Sequence, residues 1–337
     1  MTATIFLHIG TNKTGTTAVQ HFFAQQRDAL KEHGVLYPAT ACNGVAHYAL
    51  GTALGFSHGK KSNIDTLETE LLSLKDAFRN EIEQSAAQTV LISAENFFGA
   101  QNSIQPVQSF FADYDTRIII YLRRHDSWWE SAYNQAVKMT KKPLWNHGIK
   151  SYIRYMKRKN PNYGSYRTLV DQWADAFGKE NIIVRPYEQQ QNQPDIISDF
   201  LHTIGLPSLT QQLTALPERK NESLPFFALN LIDIYKRADV DPEIRSSLIK
   251  QAMTISENNK CSSISSPVLR RQLVDENMQD YEYIAKEYLG REDGRLFYDS
   301  LPDPEEAWSK PRYPTLIDIV ESTVQAMQQI DTKPRPL

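Results

Sequence analysis

Two runs, Thr89-Val90-Leu91-Ile92-Ser93 and Arg117-Ile118-Ile119-Ile120-Tyr121-Leu122, are almost unbroken in apolar, largely β-branched residues, with no polar position on alternate residues. Strands of that kind need cover on both faces, which is the situation of central strands in a parallel sheet. The first two-thirds of the chain supplies such cover. Thr4 to His8 reads as a strand, followed by a helix with Val19, Phe22, Phe23 and Leu30 on one side that Gly34 can end. Val35 to Tyr37 reads as a second strand, and Ile64, Leu67, Leu71, Phe78 and Ile82 recur at helical steps. A helix from Ser165 to Gly178, a strand from Ile182 to Val184 and a short helix after Asp195 complete the alternation. The expected fold class is therefore α/β, a P-loop-like central parallel sheet flanked by helices. From Pro225 onward the pattern is mainly helical: Phe226 to Tyr235, the apolar positions between Val268 and Tyr288, and Leu316 to Met327. The chain is expected to form one domain over residues 1–337, an α/β core (1–210) with a helical C-terminal cap (211–337) closing over the site.

With 337 residues, 41% of them hydrophobic and 23% charged, the chain can bury a substantial core. A net charge of −3 supplies no global field for nucleic acid, so no nucleic-acid partner is expected and any anion site must be local. Cys42 and Cys261 have neither CxxC nor Cys/His ligand spacing, which argues against structural zinc or a disulfide framework and favours a reducing, cytoplasmic setting. The chain enters its first strand without a basic leader, and no window approaches the ~18 apolar residues of a bilayer span. No integral membrane segment is expected.

The strongest local signal is Gly10-Thr11-Asn12-Lys13-Thr14-Gly15-Thr16-Thr17, set between strand and helix, where backbone N–H groups and the helix dipole favour a phosphate. It is not the nucleotide-triphosphatase loop GxxxxGK[ST]: Gly10 and Gly15 keep the spacing, but Thr16 stands where lysine is required and the lysine is at 13. From the loop body Lys13 can reach an oxygen bridging a 5′-phosphate to a leaving group. Alone, the turn also reads as a Gly/Thr-rich loop with a solvated lysine, a reading that the strand before it and the helix after it weaken. A second signal is Arg123 at the end of a central strand with Ser131 eight positions on, a guanidinium and a hydroxyl able to read a phosphate monoester. Arg123 or Arg124 alone would read as an edge-of-sheet ion pair.

Phe6-Leu7-His8-Ile9-Gly10 through Gln20 resembles the 5′-phosphosulfate loop of sulfotransferases, especially bacterial enzymes similar to carbohydrate sulfotransferases. The arginine–serine pair resembles that family's 3′-phosphate site. The resemblance spans roughly residues 4 to 225 in separated motifs. It implies 3′-phosphoadenosine 5′-phosphosulfate (PAPS) as donor co-substrate and 3′-phosphoadenosine 5′-phosphate (PAP) as product, held by Thr11, Asn12, Lys13, Thr14, Gly15, Thr16, Thr17, Arg123 and Ser131. Tyr187, in Arg185-Pro186-Tyr187-Glu188, resembles the family's adenine-side tyrosine. Arg219 and Lys220 resemble its late basic loop, though without the RKG form, and a solvated charge run fits them about as well.

In-line transfer needs a proton acceptor and positive charge near the leaving phosphate, and no metal in principle. Glu95, just after the strand Thr89 to Ser93, is the favoured base and His47 its rival; a helix-terminal carboxylate and a loop histidine bonded to backbone are the plainer readings of each. His8 is assigned no chemistry. Trp128, Trp129 and Tyr133 fit either a sugar-lined cleft or ordinary core. The resemblance leans toward a saccharide or glycolipid acceptor. A P-loop kinase or nucleotide triphosphatase, with Thr17 and Glu95 near magnesium, is the competing enzyme, and a nucleotide-binding module without turnover is the third reading.

Overall fold

The computed structural model describes residues 3–56, 64–98, 103–213, 224–238, 240–254 and 263–331. Five parallel strands, β1 (Thr4–His8), β2 (Val35–Leu36), β3 (Thr89–Ser93), β4 (Asp115–Leu122) and β5 (Ile182–Pro186), form one sheet in the order β2-β3-β1-β4-β5. This is the expected P-loop-like α/β sheet. β1 is central, with Thr4 to His8 paired to Thr89 to Ser93 on one side and to Asp115 to Ile119 on the other. After β1 the chain turns toward β2, whereas after β3 it crosses to β4 on the opposite side. By the right-handed crossover rule the connections after β1 and β3 pass over opposite faces, the arrangement in which open α/β sheets place ligands at the C-terminal ends of their strands.

Alternate strand residues explain why both faces are dry. Phe6, Leu91, Ile119 and Tyr121 pack with Val19, Phe22 and Phe23 of helix α1 (Thr16–Gln25) and with Ile197, Phe200 and Leu201 of the helix Ile196–Thr203. The intervening Ile5, Leu7, Val90, Ile92, Ile118 and Ile120 are buried too, as the two-residue period of a strand requires. At roughly 1.5–3 kcal/mol for each fully buried aliphatic side chain, these two layers dominate the stability of the sheet. The single helix expected to run from the loop to Gly34 is divided at Gln26, and a second helix, Arg27–Glu32, follows. Arg27 holds that second piece in place by donating to the carbonyl of Tyr37 at 3.1 Å.

The chain divides into two compact units. The first comprises Met1–Arg124, Gly164–Lys220 and Asn277–Ser300 and contains the whole sheet. The second comprises His125–Tyr163, Asn221–Glu276 and Leu301–Leu337, and its described residues form helices without strands. In the second unit Trp128, Trp129 and Tyr133 are buried, and rings of Trp129 and Tyr163 lie 5.7 Å apart, those of Tyr133 and Tyr152 likewise. These three aromatic side chains are core, not the lining of an open cleft.

Candidate active site at the exit of the central strand

β1 ends in a buried histidine and passes into a loop whose backbone is bent back twice, with φ of 55° at Gly10 and 76° at Gly15. Space for a side chain is tight at both positions as well. A Cβ at Gly10 would meet Thr16 Cγ2 at 2.7 Å, and one at Gly15 would meet the Tyr187 ring at 3.0 Å. Lys13 also has positive φ, 72°, a conformation costly for a side-chain-bearing residue and held here by its surroundings. Thr11 donates to the carbonyl of Tyr121 at 2.8 Å, Thr14 donates to that of Thr11 at 2.5 Å, and Arg123 Nη1 donates to that of Lys13 at 3.1 Å. Gly15 then begins α1, and among the described residues no side chain caps its first N–H groups. The result is a rigid turn ending in an open, positive helix terminus.

Glu95 lies on this turn from the β3 side, accepting from the Thr16 hydroxyl, with its side chain beside Gly10. Burial pushes its carboxyl up from 4.5 to about 7, a rise that the charge of Lys13 only partly offsets. Burial lowers Lys13 in turn, with Glu95 raising it and the Arg123 charge lowering it further. The Lys13 ammonium therefore feels both the Glu95 carboxyl and the Arg123 guanidinium. The Tyr48 phenol, held up at about 12 by burial and by the Glu95 charge, belongs to the same neighbourhood.

His47 is not on that surface in the same way. Its ring is fully buried, with Nε2 3.0 Å from the Pro38 carbonyl and Nδ1 accepting from the Ser93 N–H at 3.1 Å, while its own N–H donates to the Ser93 carbonyl at 2.9 Å. Burial brings it down to about 4, so both ring nitrogens serve backbone partners as a neutral imidazole. His8 is neutral too, lowered by burial to about 3, and its Nδ1 lies 2.9 Å from the Ser93 hydroxyl that Gln20 also donates to, at 3.2 Å. Two histidines and a glutamine thus fix Ser93, two residues before Glu95.

On the β4 side Arg123 emerges beside β5. Its guanidinium carbon is 5.7 Å from the centre of the Tyr187 ring, the Tyr187 N–H donates to the Leu122 carbonyl at 2.6 Å, and the Tyr166 hydroxyl donates to the Arg123 carbonyl at 2.6 Å. The first unit so brings together the loop, Glu95, Arg123 and Tyr187. Ser131 is on the helix His125–Met139 of the second unit, and Arg219 and Lys220 lie outside the described residues. Sequence reasoning did not single out Gln20, Ser93 or Tyr166. Nothing in their local patterns sets them apart from core residues, because their role comes from partners 43 to 85 positions away.

A family model of the sulfotransferase domain matches residues 4–250, which hold every one of these groups. The chain belongs to the sulfotransferase domain family. An uncharacterized protein of Archaeoglobus fulgidus is 26% identical to this sulfotransferase-family chain over 219 residues, 60% of this chain and 54% of that protein. The matched stretch thus spans about half the length of that relative. The crystal structure of a sulfotransferase from Alicyclobacillus acidocaldarius aligns loosely, with a TM-score of 0.41 and 17% identity over 73% of this chain and 95% of that one. Among the described residues, no helix of this family member is long and apolar enough to cross a membrane.

Proposed function

We propose that the chain transfers a sulfuryl group from PAPS to a hydroxyl or amine of an acceptor, a saccharide or glycolipid, by in-line displacement. The observation that carries this reading is Lys13, presented on an open helix terminus in one field with the Glu95 carboxyl and the Arg123 guanidinium. Two cations and an uncapped helix end suit a doubly phosphorylated nucleotide, and the Tyr187 ring in van der Waals reach of Gly15 suits its adenosine. The donor supplies a sulfuryl group on a phosphate oxygen that departs with the bonding electrons as the acceptor's bond to sulfur forms.

In this reading Lys13 neutralises charge developing on that departing oxygen, joined by the N–H groups at the start of α1. Glu95 receives the acceptor proton: a carboxyl near 7 is poised between holding and releasing it at neutral pH. The Thr16 hydroxyl fixes its orientation. His47, with both ring nitrogens committed, is better suited to anchoring the exit of β3 than to serving as base. Arg123, with Ser131, would hold the 3′-phosphate, and Arg219 and Lys220 would close the same end. A helical cap from residue 211 onward and a cytoplasmic setting belong to the same proposal.

Calorimetry with PAP followed by transfer of labelled sulfur from PAPS to a panel of glycans, glycolipids and amines tests it. Binding of PAP and chelator-insensitive transfer to one class are expected. No affinity for PAP would end the donor assignment. Binding without any transfer would leave a nucleotide-binding module, and transfer of phosphate from ATP, lost on chelation, would favour the kinase reading.

A further inference from the structure

After the helix Met278–Leu289 the first unit is completed by an irregular strap that ends at Ser300. Leu296 and Phe297 anchor it in the interior, with the Phe297 ring 5.0 Å from that of Tyr281. Arg291 folds it back by donating to the carbonyls of Arg295 at 2.9 Å and Leu296 at 3.0 Å, its guanidinium 4.8 Å from the Tyr298 ring centre. What the strap then presents is main chain. The Glu188 carboxylate accepts from two consecutive N–H groups, Tyr298 at 2.6 Å and Asp299 at 3.1 Å. Arg124 Nη1 donates to two consecutive carbonyls, Asp299 at 3.1 Å and Ser300 at 2.8 Å. Gln190 adds a bond to the Asp299 side chain at 3.0 Å, and Gln191 one to the Leu296 carbonyl at 3.0 Å.

Arg124 follows Arg123, and Glu188 follows Tyr187. Each of the two residues assigned to the 3′-phosphate and to adenine is therefore one peptide bond from a charged side chain that grips the same stretch, Tyr298–Ser300. On one side the distance between Arg123 and Tyr187 is set by the β4–β5 ladder, whose last bond is the one from Tyr187 to Leu122. The strap supplies a second tie. Charge-assisted bonds to adjacent peptide groups leave little freedom to either turn, and a buried carboxylate satisfied in this way is costly to release. We propose that Arg124 and Glu188 are positioning residues of the nucleotide site, acting through the strap Leu296–Ser300 to fix the spacing of Arg123 and Tyr187. This inference rests on the donor reading above, and it brings into the site a segment beyond the residues that the family model matches.

The test compares PAP with adenosine 5′-phosphate, which lacks the group that Arg123 would bind, in the full chain and in Arg124→Gln, Glu188→Gln and the double variant. Either substitution should lower PAP affinity by roughly tenfold and adenosine 5′-phosphate affinity by no more than about twofold, since loosened support should be felt where a charged fork must meet its ligand. A general loss of packing would lower both together. Because both side chains act through one strap, the double variant should be no weaker than the worse single one. Hydrogen exchange on the unaltered chain gives a readout independent of how well Glu188→Gln folds: PAP should slow exchange at the Tyr298 and Asp299 amides. PAP binding with an unchanged PAP-to-adenosine 5′-phosphate ratio in folded variants, or with no protection at those amides, overturns the positioning role and leaves the donor reading standing. Failure of the unaltered chain to bind PAP overturns both.

Discussion

The two strands beside β1 leave the sheet with opposite chemistry. Around the exit of β3 the groups are titratable or neutral: His47 and, from the end of β1, His8 are held uncharged around Ser93, and Glu95 is balanced near 7. At the exit of β4 the groups are permanent cations, Arg123 and Arg124, bonded to main-chain carbonyls at Lys13, Asp299 and Ser300. The loop after β1 lies between them and carries Lys13, which feels both sides. In the proposed reaction, proton handling and anion holding would thus be separated across a single strand, and one should be alterable without the other.

The largest effect that would sharpen this division comes from Glu95→Gln. Turnover should fall by about 10³-fold, within the usual range for loss of a general base, while PAP affinity measured by calorimetry stays within about twofold. Retained turnover would remove Glu95 from the role and blur the division. On the other side, Arg123→Ala should weaken PAP by roughly 100-fold, the scale of one or two charge-assisted hydrogen bonds, and leave the Glu95 titration near 7 in carboxyl-carbon NMR. A large displacement of that titration would mean that the two exits are not separable.

The sheet was legible in the sequence because its strands are built on apolar runs, and β1 and β3 fall where the pattern places them. β4 begins two residues earlier than its apolar run, because Asp115 and Thr116 still pair with Thr4 and Ile5 even though Asp115 is exposed. The loop was legible for a different reason: glycine spacing and a lysine say what the main chain and charge must do there. Ile149–Lys159 and Pro242–Thr254 escaped notice as helices because cations dominate the first and its buried set is only Ile149, Tyr152 and Ile153, while the second buries only Leu248 and Ala252. His47 shows the deeper limit. Its residue type fits a base, and only the carbonyl of Pro38 and the amide of Ser93 at its two nitrogens reveal a brace, since neither partner is predictable from local sequence.

That brace can be tested by stability. His47→Gln cannot satisfy both Pro38 and Ser93 in the same geometry, so a loss of about 3 kcal/mol is expected at pH 7 in denaturant unfolding, with turnover falling through a displaced Glu95. The pH dependence makes the test specific. A histidine lowered from 6.5 to about 4 contributes stability that is fully present above 6.5 and is lost as pH falls toward 4, because the unfolded chain takes up the proton first. The difference between the unaltered chain and His47→Gln should therefore narrow between pH 6.5 and pH 4. A pH-independent difference would show that the imidazole is not held neutral.

Glu95 should show the opposite slope, and this is the smallest effect expected. Its carboxyl is raised from 4.5 to about 7, so between those values the folded chain binds the proton that the unfolded chain has released. Stability is then highest with the proton on, below 4.5, and declines as pH rises through 7, where the buried carboxylate carries its full desolvation cost. Glu95→Gln removes that cost and should stabilise the fold by about 2 kcal/mol at pH 8 while changing it little at pH 4. Measured against His47→Gln by denaturant unfolding, the two variants should diverge from the unaltered chain in opposite directions as pH rises from 4 to 8. A Glu95→Gln variant destabilised at pH 8 would mean that the carboxylate is satisfied as an ion in the free protein. It would then hold its proton too weakly at neutral pH to show the titration near 7, and the poised exit of β3 would be lost from the comparison.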